Sequence, residues 1–192
     1  MKGVSKFVEF VITIALSVSI LTILASLLLS YYSTTLKENV RRELKDVALL
    51  VSNSILRLYE SSKNSKVFPK PNQSVLLSSL KLELPESISN RKYEVLIVSK
   101  TGVWGILESL RVDNQSLMTI HEPGKVLILA RTLEEPKIEV KVEVPNLDAY
   151  LQGKTQGGET YLYYYRHNFN STLYDRILLG QQDFLVQIEE VS

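Results

Sequence analysis

Residues 10–36 contain no charged residue, no proline and no glycine, and nothing else in the chain restricts its fold as tightly. A helix rises about 1.5 Å per residue, so roughly 20 apolar residues cross a hydrocarbon layer roughly 30 Å thick, and this run is longer. An isolated strand in lipid would leave its N–H and C=O groups without partners, whereas a helix pairs them within itself. The sequence therefore predicts a membrane-length helix. Within it Ala15, Ser19, Thr22, Ser26, Ser30 and Ser33 recur at intervals of three or four and fall on one helix face. Small residues on one face let a second helix approach closely. The same hydroxyls are equally suited to bonding back to their own helix carbonyls, so both readings stay open at this point.

Past the apolar run the texture changes without a break. Leu36, Val40, Leu44, Val47, Val51, Ile55 and Leu58 repeat every three or four residues, with Lys37, Glu38, Arg41, Arg42, Glu43, Lys45 and Asp46 between them. That is the pattern of an amphipathic helix, closer to the plain helical period than to a heptad. No proline or glycine occurs between residues 4 and 68. We therefore expect one helix over residues 4–59, apolar over 10–36 and amphipathic over 37–59. Residues 60–72 cluster serine, lysine, asparagine and two prolines and form the linker.

Residues 73–192 are strand-like. Stretches 93–99, 117–121, 125–131, 137–144, 160–166 and 184–191 alternate, or are rich in β-branched and aromatic residues. Turn signals separate them at Thr101-Gly102, Pro123-Gly124, Glu135-Pro136 and Gly157-Gly158. Residues 74–84 fit either a short helix or a first strand. The predicted class is α+β: a long N-terminal helix, membrane-spanning then amphipathic, followed by an antiparallel, sandwich-like β domain.

Few residues point to chemistry. With 22 basic and 21 acidic residues the net charge is +1, so overall charge implies no nucleic-acid partner, and the absence of cysteine excludes disulfides and thiolate metal sites. Gly153-Lys154-Thr155 mimics the end of a phosphate-binding loop, but Asp148 stands where the first glycine belongs. His121 and His167 lie far apart without metal-ligand spacing. The acidic pairs Glu134-Glu135 and Glu189-Glu190 fall near strand ends and read as solubilising charge. No enzyme activity and no cofactor are expected. One patch stands out, because on a strand Tyr161, Tyr163 and Tyr165 share a face and leave Leu162 and Tyr164 on the other. One face enters the core, and the other offers rings suited to a subunit interface or a sugar-binding surface. Tyrosine's plain preference for strands accounts for the same pattern.

The chain opens Met1-Lys2-Gly3-Val4-Ser5-Lys6, a short basic start leading directly into the apolar run. A secretory signal has a shorter apolar core followed by a small-residue cleavage site. This start resembles instead the class III signal of archaeal type IV pilins and archaellum-related proteins. The resemblance implies cleavage between Gly3 and Val4 by a prepilin peptidase, with the apolar helix kept in the mature chain. Bacterial type IV pilins carry a glutamate five residues after the cut that pairs with a neighbouring subunit's amine; Glu9 stands one residue later.

The resemblance further implies a structural subunit of an extracellular filament for adhesion or surface attachment. Such a subunit polymerises with copies of itself and occupies the cell membrane before assembly. Its other expected partners are the pilus assembly machinery and, at the surface, a surface-layer protein. Basic residues flank the apolar run on both sides and do not set its orientation. The β domain is placed outside on its size and on three glycosylation triplets, at Asn72, Asn114 and Asn170. An alternative of another class is a non-polymerising, single-pass archaellum accessory protein or minor pilin whose β domain binds the surface layer or the motor.

Overall fold

A computed structural model describes residues 2–71, 73–99, 126–144, 147–169 and 171–181. The expected stretches 117–121 and 184–191, and the turns at Thr101-Gly102 and Pro123-Gly124, lie outside the described residues. The helix α1 spans Lys2–Ser62, three residues beyond the expected end at residue 59. Among the described residues it is followed by seven strands: β1 (Gln73–Leu84), β2 (Tyr93–Ser99), β3 (Val126–Thr132), β4 (Glu139–Glu143), β5 (Tyr150–Thr155), β6 (Gly158–Phe169) and β7 (Thr172–Gly180). The chain divides into two units, Met1–Asn39 and Val40–Ser192.

In the first unit every large apolar side chain from Phe7 to Leu29 is exposed, and Leu36, near the end of the unit, is partly covered. Phe7, Leu21 and Leu28 are 68%, 70% and 69% exposed, and the helix is long and apolar enough to cross a membrane. Tyr31 and Tyr32 stand exposed where the apolar run gives way to charge, the place at which amphipathic rings favour a lipid–water boundary.

In the second unit the predicted stripe is buried. Val40, Leu44, Val47, Val51, Ile55 and Leu58 are almost fully enclosed, together with Ala48. They share one core with Tyr93, Val95, Ile128, Leu162, Tyr164, Ile177 and Leu179 from the sheet. The periodicity of the helix thus marks the face that packs, and the charges between mark the face left in water.

The strands form one seven-stranded sheet in the order β1-β6-β7-β5-β2-β3-β4. Every pairing is antiparallel except β5 with β7, which is parallel. The α+β class holds, with a different second layer. The sandwich-like packing of sheet on sheet is replaced by helix on sheet, because the apolar stripe from Val40 to Leu58 already covers the apolar face of the strands. Residues 74–84 belong to β1, which carries a bulge between Leu76 and Ser78.

β5 and β7 were not anticipated from the sequence. The core-side residues of β7 are Asp175, Ile177 and Leu179, so its inward alternation is broken by a carboxylate. That carboxylate is neutralised by Arg166 directly across on β6: Arg166 Nε donates to Asp175 Oδ1 at 2.7 Å and Nη2 donates to Oδ2 at 3.0 Å. Tyr164 OH donates to the same Oδ2 at 2.6 Å. The guanidinium also holds the chain leaving α1, with Nη1 donating to Ser65 O at 2.7 Å and Nη2 to Lys63 O at 3.2 Å. Asn168 Nδ2 continues the clamp to Pro69 O at 2.9 Å.

Candidate functional site

Two surfaces contain the residues singled out from the sequence. The first is the helix of the first unit. Ala15, Ser19, Thr22, Ser26 and Ser30 all lie exposed on it, and Glu9 is exposed two turns before the first of them. Gly3 and Val4 fall in its first turn. The hydroxyls bond inward: Ser19 Oγ donates to Ala15 O at 2.8 Å, Thr22 Oγ1 to Val18 O at 2.8 Å and Ser26 Oγ to Ile23 O at 2.9 Å. Thr13, Ser17, Ser33, Thr34 and Thr35 do the same. Each of these donors is satisfied by its own helix, so the stripe offers a neighbour small volume rather than unmet hydrogen bonds.

The second is the face of the sheet turned away from α1, on which Tyr165 and Leu178 are themselves nearly enclosed. Alternation along β6 sends Leu162 and Tyr164 into the core and Tyr161, Tyr163 and Tyr165 to the other side. There the rings form a ladder, with centroids 6.1 Å apart from Tyr161 to Tyr163 and 6.2 Å from Tyr163 to Tyr165. His167 extends it by a further 6.1 Å. Successive planes are tilted by only 26° to 29°, so the rings stand as offset rungs along the strand.

Cross-strand pairing brings in residues that the sequence did not single out. Tyr165 lies opposite Arg176 on β7, and His167 opposite Tyr174. Tyr150 on β5 lies opposite Arg176 from the other side, and its ring sits 6.0 Å from that of Tyr174. Arg176 Nη2 donates to Gln152 Oε1. With β5 and β7 unrecognised, nothing local places Arg176 between two tyrosines; the alternation of the β6 tyrosines is the one available signal.

His167 Nδ1 is 2.5 Å from Ser74 Oγ on β1, while its Nε2 is shielded from water and has no partner among the described residues. Burial, reinforced by the like charge of Arg176 and opposed by Asp175, pushes the imidazole down to about 4. Burial likewise lowers Arg176 to about 10. The histidine is thus held neutral in the fold, whereas an unfolded histidine titrates near 6.5. Its contribution is intact above about pH 6.5 and is lost as pH falls towards 4, by roughly 2–3 kcal/mol. Urea midpoints of wild type and His167→Gln at pH 7.5 and 4.5 check this: the acid-induced drop should be smaller in the variant.

The remaining sequence candidates separate. Asn72, Asn114, Asn170 and His121 lie outside the described residues. Lys154 and Thr155 lie on β5, and Gly153 there packs its backbone against Leu179 of β7, which accounts for the glycine without a phosphate. Among the described residues no cluster of histidine and acidic side chains is placed to hold a metal ion. Comparison with protein-family models, curated proteins and solved structures returns no match.

Proposed function

We propose that the chain is a pilin-like structural subunit of an extracellular filament, held in the membrane by its apolar helix before assembly and polymerising through residues 4–33. One observation carries this reading. A single helix leaves its apolar side chains exposed from Phe7 to Leu29 and then, from Val40, becomes part of the core of the β unit. Such an exposed apolar surface needs either lipid or copies of itself. Transfer from water is worth about 25 cal/mol per Å² of apolar area, so once lipid is removed, association among helices is strongly favoured. The stripe of Ala15, Ser19, Thr22, Ser26 and Ser30 sets how closely they approach. Adhesion or surface attachment is the role that a β unit carried on such a filament would serve.

A second reading is favoured by the inward-bonded hydroxyls, which leave those groups no need of a partner helix. On that reading the chain is a single-pass anchor that never polymerises. Mass spectrometry of the native N-terminus separates the two: a start at Val4 supports the filament, and a retained Met1 supports the anchor. Ser26→Leu is expected to reduce filament yield severalfold while leaving membrane insertion of the monomer intact. Sheared-filament yield against membrane-fraction content measures this, and unchanged yield and diameter would remove the packing role.

A further inference from the structure

The segment that joins α1 to β1 is held against the sheet at every second residue. The carbonyls of Lys63, Ser65 and Val67 accept from Arg166 at 3.2, 2.7 and 3.4 Å, and that of Pro69 accepts from Asn168 at 2.9 Å. Backbone bonds tie it at both ends, Lys63 N donating to Tyr59 O and Gln73 N to Lys70 O. Ser62 and Pro69 are buried. A backbone fixed in this way also fixes where its side chains go. Phe68 and Val67 stand in water, 71% and 45% exposed, and Lys63, Lys66 and Lys70 are exposed around them.

Among the described residues of the second unit, no other large apolar side chain is as exposed as Phe68. Single apolar residues on a surface are ordinary; an adjacent pair on a clamped segment, ringed by positive charge, narrows what can cover it. Residues 61–75 contain those three lysines and no acidic residue, and the adjoining strand ends, 166–169 and 172–174, add no acid. Asp175, the next residue on β7, is already engaged by Arg166. The complement must therefore be anionic at its surface and apolar beneath. A soluble polyanion would satisfy the lysines and leave the ring in water. An anionic lipid layer supplies headgroup charge at the level of the ammonium groups and acyl chains below it. Lysine stems are long enough to keep their heads at that level while the ring enters. A fluid layer also closes around a rigid, outward ring without needing a cavity cut to its shape.

We propose that the segment carrying Lys63, Lys66, Val67, Phe68 and Lys70 docks on an anionic lipid surface, with Phe68 and Val67 entering the acyl boundary and the lysines meeting headgroup anions. It begins where α1 ends, about 34 Å along the helix from Val40. The site belongs to the second unit and does not depend on whether the chain polymerises. The test holds the full-length chain in nanodiscs of phosphatidylcholine and adds vesicles from solution, either of phosphatidylcholine alone or of phosphatidylcholine mixed with phosphatidylglycerol. Co-flotation with the mixed vesicles is expected, weakening as salt is raised, with little on the neutral ones. Phe68→Ser should weaken it roughly tenfold or more, and Lys66→Gln combined with Lys70→Gln should do the same.

Phe68→Trp provides a readout that does not rest on loss. It should keep the binding, since tryptophan favours the same boundary, and its emission should be quenched by brominated acyl chains more than that of the wild type. Absent co-flotation, equal co-flotation with neutral vesicles, full binding by Phe68→Ser, or a Phe68→Trp emission quenched no more than the wild type would overturn the proposal. Binding of soluble dextran sulfate at the same affinity by wild type and Phe68→Ser, with neither floating on the mixed vesicles, would replace lipid by charge alone and overturn it too.

Discussion

Gly153→Ala is expected to leave the β unit unfolded or close to it. Gly153 sits on β5 with a φ of 139°, and a Cβ built there would lie 1.9 Å from Leu179 O and 2.7 Å from Leu179 N. Those atoms are backbone of the paired strand β7, so no side-chain rotation relieves the overlap. The strand itself must move, which breaks the parallel seam. The backbone conformation alone costs a non-glycine residue about 1–3 kcal/mol. Parting the ladder brings the loss to roughly 4 kcal/mol or more, against a total stability of about 5–15 kcal/mol for a typical domain. Gly158→Ala is the matched control. Its φ is 71°, but nothing lies within 4 Å of the added methyl, so a loss of about 1–2 kcal/mol is expected. Near-UV circular dichroism and urea midpoints of the two variants in detergent make the comparison.

The second large effect is expected at Arg166. Arg166→Met leaves the Asp175 carboxylate without its bidentate partner and releases the carbonyls of Lys63 and Ser65. Removing one partner of a buried ion pair typically costs about 3–5 kcal/mol, because the other charge is stranded. Arg166→Met combined with Asp175→Leu removes both charges and should be less damaging than the sum of the single changes, by about 1.5 kcal/mol or more. Strict additivity in urea unfolding would mean that the pair contributes nothing beyond the packing of its stems. Tyr164 reports on the same network. Burial and the bond to Asp175 push its phenol well above the ordinary tyrosine range, so it should stay protonated up to the alkaline limit of the fold.

What could be seen in the sequence follows from which patterns are local. The helix declared itself twice, by freedom from charge over residues 10–36 and by the spacing from Val40 to Leu58, and both patterns need only neighbours a few residues apart. β2 matched its expected bounds, since YEVLIVS is β-branched and apolar with little interruption. β7 escaped because Asp175 faces inward, and that becomes sensible only when Arg166, nine residues earlier in the chain, is placed across from it. β5 escaped because Gly153, Lys154 and Gln152 weaken its strand character; its glycine is required by Leu179, a contact no local pattern encodes. The tyrosine face was half legible. Alternation placed Tyr161, Tyr163 and Tyr165 together, but the approach of Arg176 and Tyr150 depends on a strand order in which β7 separates β5 from β6.

That strand order bears on how the molecule comes to be made. β5 and β6 are joined by only Gln156 and Gly157, yet β7, which follows them both, occupies the space between them. Without β7 the remaining ladders are two separate pieces, β1 with β6 and β5 with β2, β3 and β4. A chain emerging from the ribosome can pair β5 with β2, β3 and β4 before β6 exists, but that piece cannot join β1 and β6 until β7 has also emerged. The keystone is synthesised after the arch it locks, so closure of the sheet waits for the last of its described strands rather than accreting strand by strand.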